Sequence, residues 1–273
     1  TYSGGELVLE TRRLGLMNLF LHEIEGNLHY GDSISEPPRG QQYHIILTNP
    51  PFGVKGAGEV PERGDFTVPT SNKQLNFIQH VIQVLKPGGR AAMVLPDNVL
   101  FEDNAGRDVR QLLMKDCQLH TILRLPVGTF TPYSTGVKAN VLFFRKGLPT
   151  GEVWIYDHRT NIPKITKGQP IIEAQFEEFV SAYGLLATPR PNDRVESARF
   201  RRFTREEITA RNDNLDITWL KDESNGTNGT EAEPETLLAE AFTQLQTAMD
   251  ALSELSNLLR PMEDQLEIKD ASQ

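Results

Sequence analysis

The chain has 273 residues and a formal net charge of −9, with 38% hydrophobic and 24% charged residues. That size and composition fit a globular protein of one large domain with appendages. A single cysteine, Cys117, excludes a disulfide framework and a multi-cysteine metal site. No apolar run approaches membrane-spanning length, and no signal peptide is read, so the expected location is cytoplasmic. The acidity argues against a free-standing nucleic-acid binder, which usually carries a basic footprint.

In chain order, Glu6-Leu7-Val8-Leu9 after Gly4-Gly5 reads as the tail of a strand with a carboxylate near its end. Leu14, Met17, Leu21 and Ile24 recur at helical steps within a predicted helix over 11–25. Asn27 to Tyr30 returns as a short strand closing in Gly31-Asp32-Ser33. The run Tyr43-His44-Ile45-Ile46-Leu47-Thr48 reads as a buried strand. It ends abruptly at Asn49-Pro50-Pro51-Phe52, and a Gly-rich, irregular stretch follows. Beyond it come a helix over 75–85 stopped by Pro87-Gly88-Gly89, a strand over 90–96 and a helix over 104–117. Leu119–Leu125 and Ala139–Arg145 are strands joined by a loop too short for a crossover helix, so they must be antiparallel. Val153 to Asp157 is one more short strand, and Phe176 to Tyr183 a short helix. The order predicts an α/β fold with a mostly parallel, Rossmann-like sheet and an antiparallel final hairpin.

The tetrapeptide at 49–52 carries the most chemistry. Asn49 offers a side-chain carbonyl and Pro50 a backbone carbonyl as acceptors. Two acceptors can grip both hydrogens of an exocyclic NH2 and turn its lone pair towards an electrophile. The prolines fix φ near −65°, and Phe52 offers a flat face for a base. A plain strand-ending turn is the bland alternative. Glu6 and Asp32, at successive strand ends, suit an adenosine-type cofactor, because ligands gather at the carboxyl ends of strands in open α/β sheets. Turn or cap roles are the competing reading for each acid. In the loop before Ala139, Phe130 and Tyr133 are candidates to stack on a base, and Ser134, Thr135 and Lys138 to hold phosphates; an ordinary hairpin loop is equally compatible.

Residues 188–211 hold seven arginines, a basic stretch that reads either as a phosphate contact or as solvated surface. Residues 221–235 are a polar linker. Leu238, Phe242, Leu245, Met249, Leu252 and Leu259 then form a seam at alternating four- and three-residue steps with one lapse, at Ser256, which suits a docking helix or one packed back on its own domain. The organisation expected is a catalytic domain over 1–150, its extension over 151–220, the linker, and a partner-docking helix over 236–262.

These residues together resemble the modification subunit of type I restriction-modification enzymes, in the N6-adenine DNA methyltransferase family. The likeness rests on Gly5-Glu6-Leu7, Arg13-Leu14 through Met17-Asn18-Leu19, Tyr30-Gly31-Asp32-Ser33, Asn49-Pro50-Pro51-Phe52-Gly53 and Leu75-Asn76-Phe77. It continues through Leu85-Lys86-Pro87-Gly88-Gly89-Arg90, Leu95-Pro96-Asp97 and Trp154-Ile155-Tyr156-Asp157. The resemblance implies a class I methyltransferase sheet and S-adenosyl-L-methionine as cofactor. Asn49 and Pro50 would hold the target amine and, with Pro51 fixing the turn, Phe52 would stack on a flipped adenine. Glu6 would bind the cofactor ribose, and Asp32 with Ser33 its adenine end. The partners implied are DNA, a specificity subunit docked on the terminal helix, and a restriction subunit. A departure accompanies this: the family's Gly-rich cofactor loop, on the first and central strand, should precede Glu6 and is absent, as is the usual N-terminal helical domain. The sequence therefore reads as an N-terminally truncated member that alone binds cofactor weakly or not at all. The other readings are a non-catalytic module that docks on a specificity subunit, or an N-methyltransferase acting on protein glutamine or RNA.

Overall fold

The computed structural model describes residues 2–36, 40–52, 60–131, 137–184 and 194–222. The chain divides into two units, Thr1–Lys221 and Asp222–Gln273, and all the strands and helices named below belong to the first. The expected docking helix at 236–262, and all but the start of the linker, lie outside the described residues. Among the described residues no helix is long and apolar enough to cross a membrane.

The strands are β1 (Tyr2–Glu6), β2 (Gly26–Tyr30), β3 (Tyr43–Thr48), β4 (Leu85–Pro96), β5 (Cys117–Arg124), β6 (Ala139–Lys146), β7 (Glu152–Asp157) and β8 (Phe200–Thr204). The helices are α1 (Leu9–Leu21), α2 (Lys73–Val84), α3 (Asn98–Phe101), α4 (Ala105–Asp116), α5 (Glu177–Tyr183) and α6 (Arg205–Ala210). β1 and β2 form a parallel pair, and the others a six-stranded sheet in the order β3-β4-β6-β5-β7-β8. β3 runs parallel to β4, β6 lies antiparallel between β4 and β5, and β7 runs parallel to β5. The antiparallel pairing of β5 with β6 is as the short loop requires. The hairpin is not the end of the sheet, however, because β7 and then antiparallel β8 extend it.

Alternation along the strands feeds two cores. Val153 and Ile155 of β7 join Leu75, Ile78 and Ile82 of α2 and Val109 and Leu113 of α4 on one face. Trp154 and Tyr156, the residues between and after them, pack with Phe200 and with Phe179 of α5 on the other. α2 begins where Asn72 accepts from the Leu75 N–H at 3.2 Å, an N-cap. It ends at Val84, and Leu85 already belongs to β4. Pro87-Gly88-Gly89 is thus an irregularity inside β4 and not the helix stop expected. Gly88 has φ +77°, and a Cβ on Gly89 would lie 2.9 Å from the Tyr43 carbonyl oxygen.

Three further expectations change. The first strand is Tyr2–Glu6, so Glu6 closes it, and Leu7 and Val8 lead into α1. β3 is an edge strand with Ile45 53% and Leu47 78% exposed, although its apolar run reads as buried. The reason lies beyond the run itself: β3 pairs only with β4, and β1 and β2 pair with each other. Third, the arginines of 194–211 are turned to structural work. Arg199 donates to the Asp157 and Thr160 carbonyls, Arg202 pairs with Glu152, Arg205 with Asp213, and Arg201 lies over the Trp219 ring.

The carboxyl edge of the six-stranded sheet is fastened by charge. Arg159, just past β7, makes a two-point contact with Asp97, just past β4, at 2.6 and 2.9 Å. It also donates to the carbonyls of Leu125 and Ala139 at 3.0 and 2.8 Å. Asn140 of β6 donates to Asp97 at 2.8 Å. Arg124, the last residue of β5, donates to the Ile217 carbonyl at 3.0 Å and pairs with Asp216 at 2.8 Å.

Burial alone would raise the Asp97 carboxyl, but the Arg159 guanidinium and the Asn140 amide hold it below the usual carboxylate range. The stability this contact contributes is therefore full above the unfolded carboxyl value of about 4 and is lost as pH falls through the lower folded value. Asp97→Asn should cost about 2 kcal/mol at neutral pH. It should also flatten the acid limb of stability against pH, read by urea unfolding at stepped pH. Burial likewise pushes the Cys117 thiol up to about 12. Iodoacetamide at mildly alkaline pH should leave Cys117 unmodified in the native protein and label it fully in denaturant, read by intact mass.

Candidate active site

β3 hands the chain to Asn49 at the carboxyl edge. Asn49 is exposed, Pro50 is buried, Pro51 is exposed and Phe52 is half-buried. The buried proline anchors a turn whose neighbours face out. Among the described residues the Asn49 side chain has no hydrogen-bond partner, so its carbonyl is not consumed by a turn or a cap. Phe52 meets Phe130, from the loop after β5, with ring centroids 5.7 Å apart and planes at 81°. Two rings at right angles make a corner with one flat wall and one edge. Phe130 is thus brought to the tetrapeptide. Tyr133, Ser134 and Thr135 lie outside the described residues. Lys138 is exposed, and its carbonyl accepts from the Asp97 N–H at 3.0 Å.

Glu6 and the Asp32-Ser33 turn are neighbours, because β1 and β2 pair in parallel with Glu6 opposite Tyr30. Gly31 donates its N–H to the Glu6 carbonyl at 3.2 Å. A Cβ on Gly5 would lie 2.8 Å from both His29 Nε2 and Ser33 Oγ, so the bare glycine lets this edge close. Glu6 Oε1 accepts from the Val8 N–H at 2.8 Å. Asp32 Oδ1 accepts from the Ile34 N–H at 2.8 Å and Oδ2 from the Ser35 hydroxyl at 2.6 Å. Both acids therefore shape their own turns, the role read as the competing one. A carboxylate offers roughly four acceptor positions, so a turn contact does not exhaust it. The Tyr43 hydroxyl reaches Ser3 Oγ at 3.4 Å and links the start of β3 to β1.

Sequence reasoning passes over Arg63, Asp97, Asn140 and Arg159. Asp97 ends a strand and has that much signal. Arg63 has none: its side chain is 0% exposed, and it bonds the carbonyls that follow Asp32. Nearby His80 is driven down to about 4 by burial and then by the Arg63 charge, so it is neutral at physiological pH. Among the described residues no group of three or more His, Cys, Asp or Glu is placed to hold a metal ion.

The family model for N-6 DNA methylases matches residues 1–226. The chain is 43% identical to the EcoKI type I restriction enzyme methylase subunit of Escherichia coli K12, over 96% of this chain and 56% of that one. It is 36% identical to the EcoEI methylase subunit of E. coli, over 89% of this chain and 49% of that one. The crystal structure of the EcoKI M protein superposes with a TM-score of 0.72 at 42% identity, covering 96% of this chain and 60% of that one. A structure from a study of the assembly and conformational transition of a type I restriction-modification system gives a TM-score of 0.67 at 29% identity, over 95% and 54% of the two chains. This chain thus spans about half the length of the curated relatives it matches. With the family model covering most of its length, and with strand order and sequence pointing the same way, the chain belongs to the N-6 DNA methylase family.

Proposed function

We propose that the chain carries the target-base site of an S-adenosylmethionine-dependent DNA methyltransferase acting on adenine N6, as the modification subunit of a type I restriction-modification system. The observation that supports this most is an exposed Asn49, uncommitted among the described residues, beside a buried Pro50 and the Phe52–Phe130 corner.

In this reading the Asn49 side-chain carbonyl and the Pro50 backbone carbonyl each accept one hydrogen of the adenine amine. The grip withdraws the lone pair from conjugation with the ring and aims it outward. No strong base is needed, since the nitrogen releases its proton only after it has gained a methyl group. Phe52 stacks on the flipped base and Phe130 closes the edge. S-adenosylmethionine, when bound, supplies the sulfonium methyl group. Glu6 holds its ribose hydroxyls, while Asp32 and Ser33 hold its adenine. The paired ends of β1 and β2 fit such a ligand, because they bring a carboxylate pair and a hydroxyl to one edge.

Arg199 bonds backbone carbonyls, Arg205 pairs with buried Asp213 and exposed Arg202 pairs with Glu152, so part of that stretch is already engaged within the chain. DNA backbone contact and sequence reading accordingly fall to a specificity subunit, docked on the 236–262 helix across the 221–235 linker. A restriction subunit completes the assembly. Residues 1–150 form the catalytic domain, and 151–220 extend it through β7 and β8. The named relatives support both the reaction and the assembly.

The test uses the complete subunit assembled with its specificity partner. Asn49→Ala should lower labelled-methyl transfer to DNA about a hundredfold or more, the scale of losing one preorganised transition-state hydrogen bond, with DNA affinity retained. Undiminished transfer would remove Asn49 from the chemistry. Phe52→Ala should weaken binding of DNA bearing an unpaired target adenine by about tenfold, one base–aromatic stack. Its effect on DNA without the target site should be negligible, and equal loss on both DNAs would exclude stacking on the target.

A further inference from the structure

Residues 65–70, ahead of α2, are fastened along it by amides on one helix face. Asn76 donates to the Thr70 carbonyl at 2.8 Å. Gln79 both accepts from the Val68 N–H and donates to the Val68 carbonyl, each at 2.9 Å. Gln83 donates to the Asp65 carbonyl at 3.1 Å. Positions 76, 79 and 83 are spaced by three and four, so the three side chains stack along one stripe. Asn76 and Gln79 are each 1% exposed, so these are buried bonds whose loss leaves orphaned backbone.

At the far end of this ladder stands Arg63. Its Nε and Nη2 each hold Asp65 at 2.6 Å. The guanidinium also lies over the Phe66 ring, 4.2 Å from its centre. The remaining nitrogen, Nη1, points out of the loop into the turn after β2. There it donates to the Ser33 and Glu36 carbonyls, both at 2.9 Å, with Ile34 at 3.4 Å. That is the turn whose N–H and hydroxyl groups cap Asp32. One planar cation therefore joins two segments about 30 residues apart.

We propose that Arg63 is a positioning residue that sets the shape of the Asp32–Glu36 turn for the cofactor's adenine, and so ties the cofactor site to residues 63–70 fastened on α2. The inference rests on the cofactor placement proposed above. The Asp65 contact and the Phe66 ring fix the guanidinium plane, and the α2 amides fix the loop. Nη1 is thereby held against the Ser33 and Ile34 carbonyls, and Ile34 is buried. Lysine cannot replace this, because its point charge satisfies either the carbonyls or Asp65 but not both.

Arg63→Ala, Arg63→Lys and Asp32→Ala are compared in the complete, assembled subunit. Binding of S-adenosylmethionine and S-adenosylhomocysteine is measured by calorimetry, DNA affinity separately, and amide hydrogen exchange over 32–36 and over β4–β6. Arg63→Ala should weaken both cofactor ligands about tenfold, the equivalent of one charge-assisted hydrogen bond. Arg63→Lys should fall between, with exchange rising over 32–36 while DNA affinity and sheet protection hold. If Arg63→Ala does not fold, Arg63→Lys carries the test by the same criteria. Folded Arg63 variants that bind cofactor normally, while Asp32→Ala does not, overturn the positioning role and leave the cofactor placement standing. Normal binding by Asp32→Ala overturns both. Parallel loss of cofactor binding, DNA affinity and sheet protection reduces Arg63 to a fold-wide brace and also overturns the proposal.

Discussion

The contact on which this fold leans is a buried guanidinium donating to backbone carbonyls. Arg63 serves the turn after β2, Arg110 the carbonyls of Val99, Glu102 and Asp213, and Arg159 those of Leu125 and Ala139. Arg124 and Arg199 do the same for Ile217, Asp157 and Thr160. Strand ends are where ladder pairing stops, and a buried carbonyl there has to find another donor. Arginine supplies five donors in a rigid plane and remains charged when buried, so one side chain can close several such ends.

That use of arginine explains how an acidic chain can have a firm, polar carboxyl edge. The net charge of −9 counts cations that face inward as well as those in solvent. Asn49 sits at the end of a strand whose neighbour, β4, is fastened through Asp97 to Arg159 and Asn140. An acceptor that must aim a weak nucleophile, the role proposed for Asn49, gains most from a support that does not relax during the reaction. The rigidity lies in the scaffold and in buried Pro50, while the amide itself is open.

Local chemistry was readable from the sequence and non-local contact was not. Apolar runs such as Val153–Asp157, the periodicity of α2, and the strand-ending turn at 49–52 all announce themselves within a few residues. β8 does not, because Phe200-Arg201-Arg202-Phe203 hides its strand character behind two arginines. Those arginines are accommodated by Trp219 and Glu152, which no local pattern could supply. The exposure of β3 escaped for the same reason, since burial of an apolar strand depends on what pairs beside it. Arg63 and Arg159 look like any surface arginine in sequence. Their partners include several main-chain carbonyls, which carry no side-chain signature at all.

Titration marks the scaffold here, and not the proposed chemistry. Burial drives His80 and His120 down to about 4, reinforced by Arg63 in one case and by Arg194 and Arg145 in the other. Burial also lifts the Tyr156 hydroxyl, with Glu178 adding to the rise. Perturbed groups commonly flag active sites, because acid–base catalysis needs them. Transfer of a methyl group to an aromatic amine asks for something else: acceptors of fixed direction that carry no proton of their own. An amide oxygen and a peptide oxygen meet that demand at any physiological pH. A search keyed to shifted pKa values would stop at His80, beside Arg63, and miss Asn49. The absence of an ionisable side chain within Asn49–Phe52 is what this chemistry calls for.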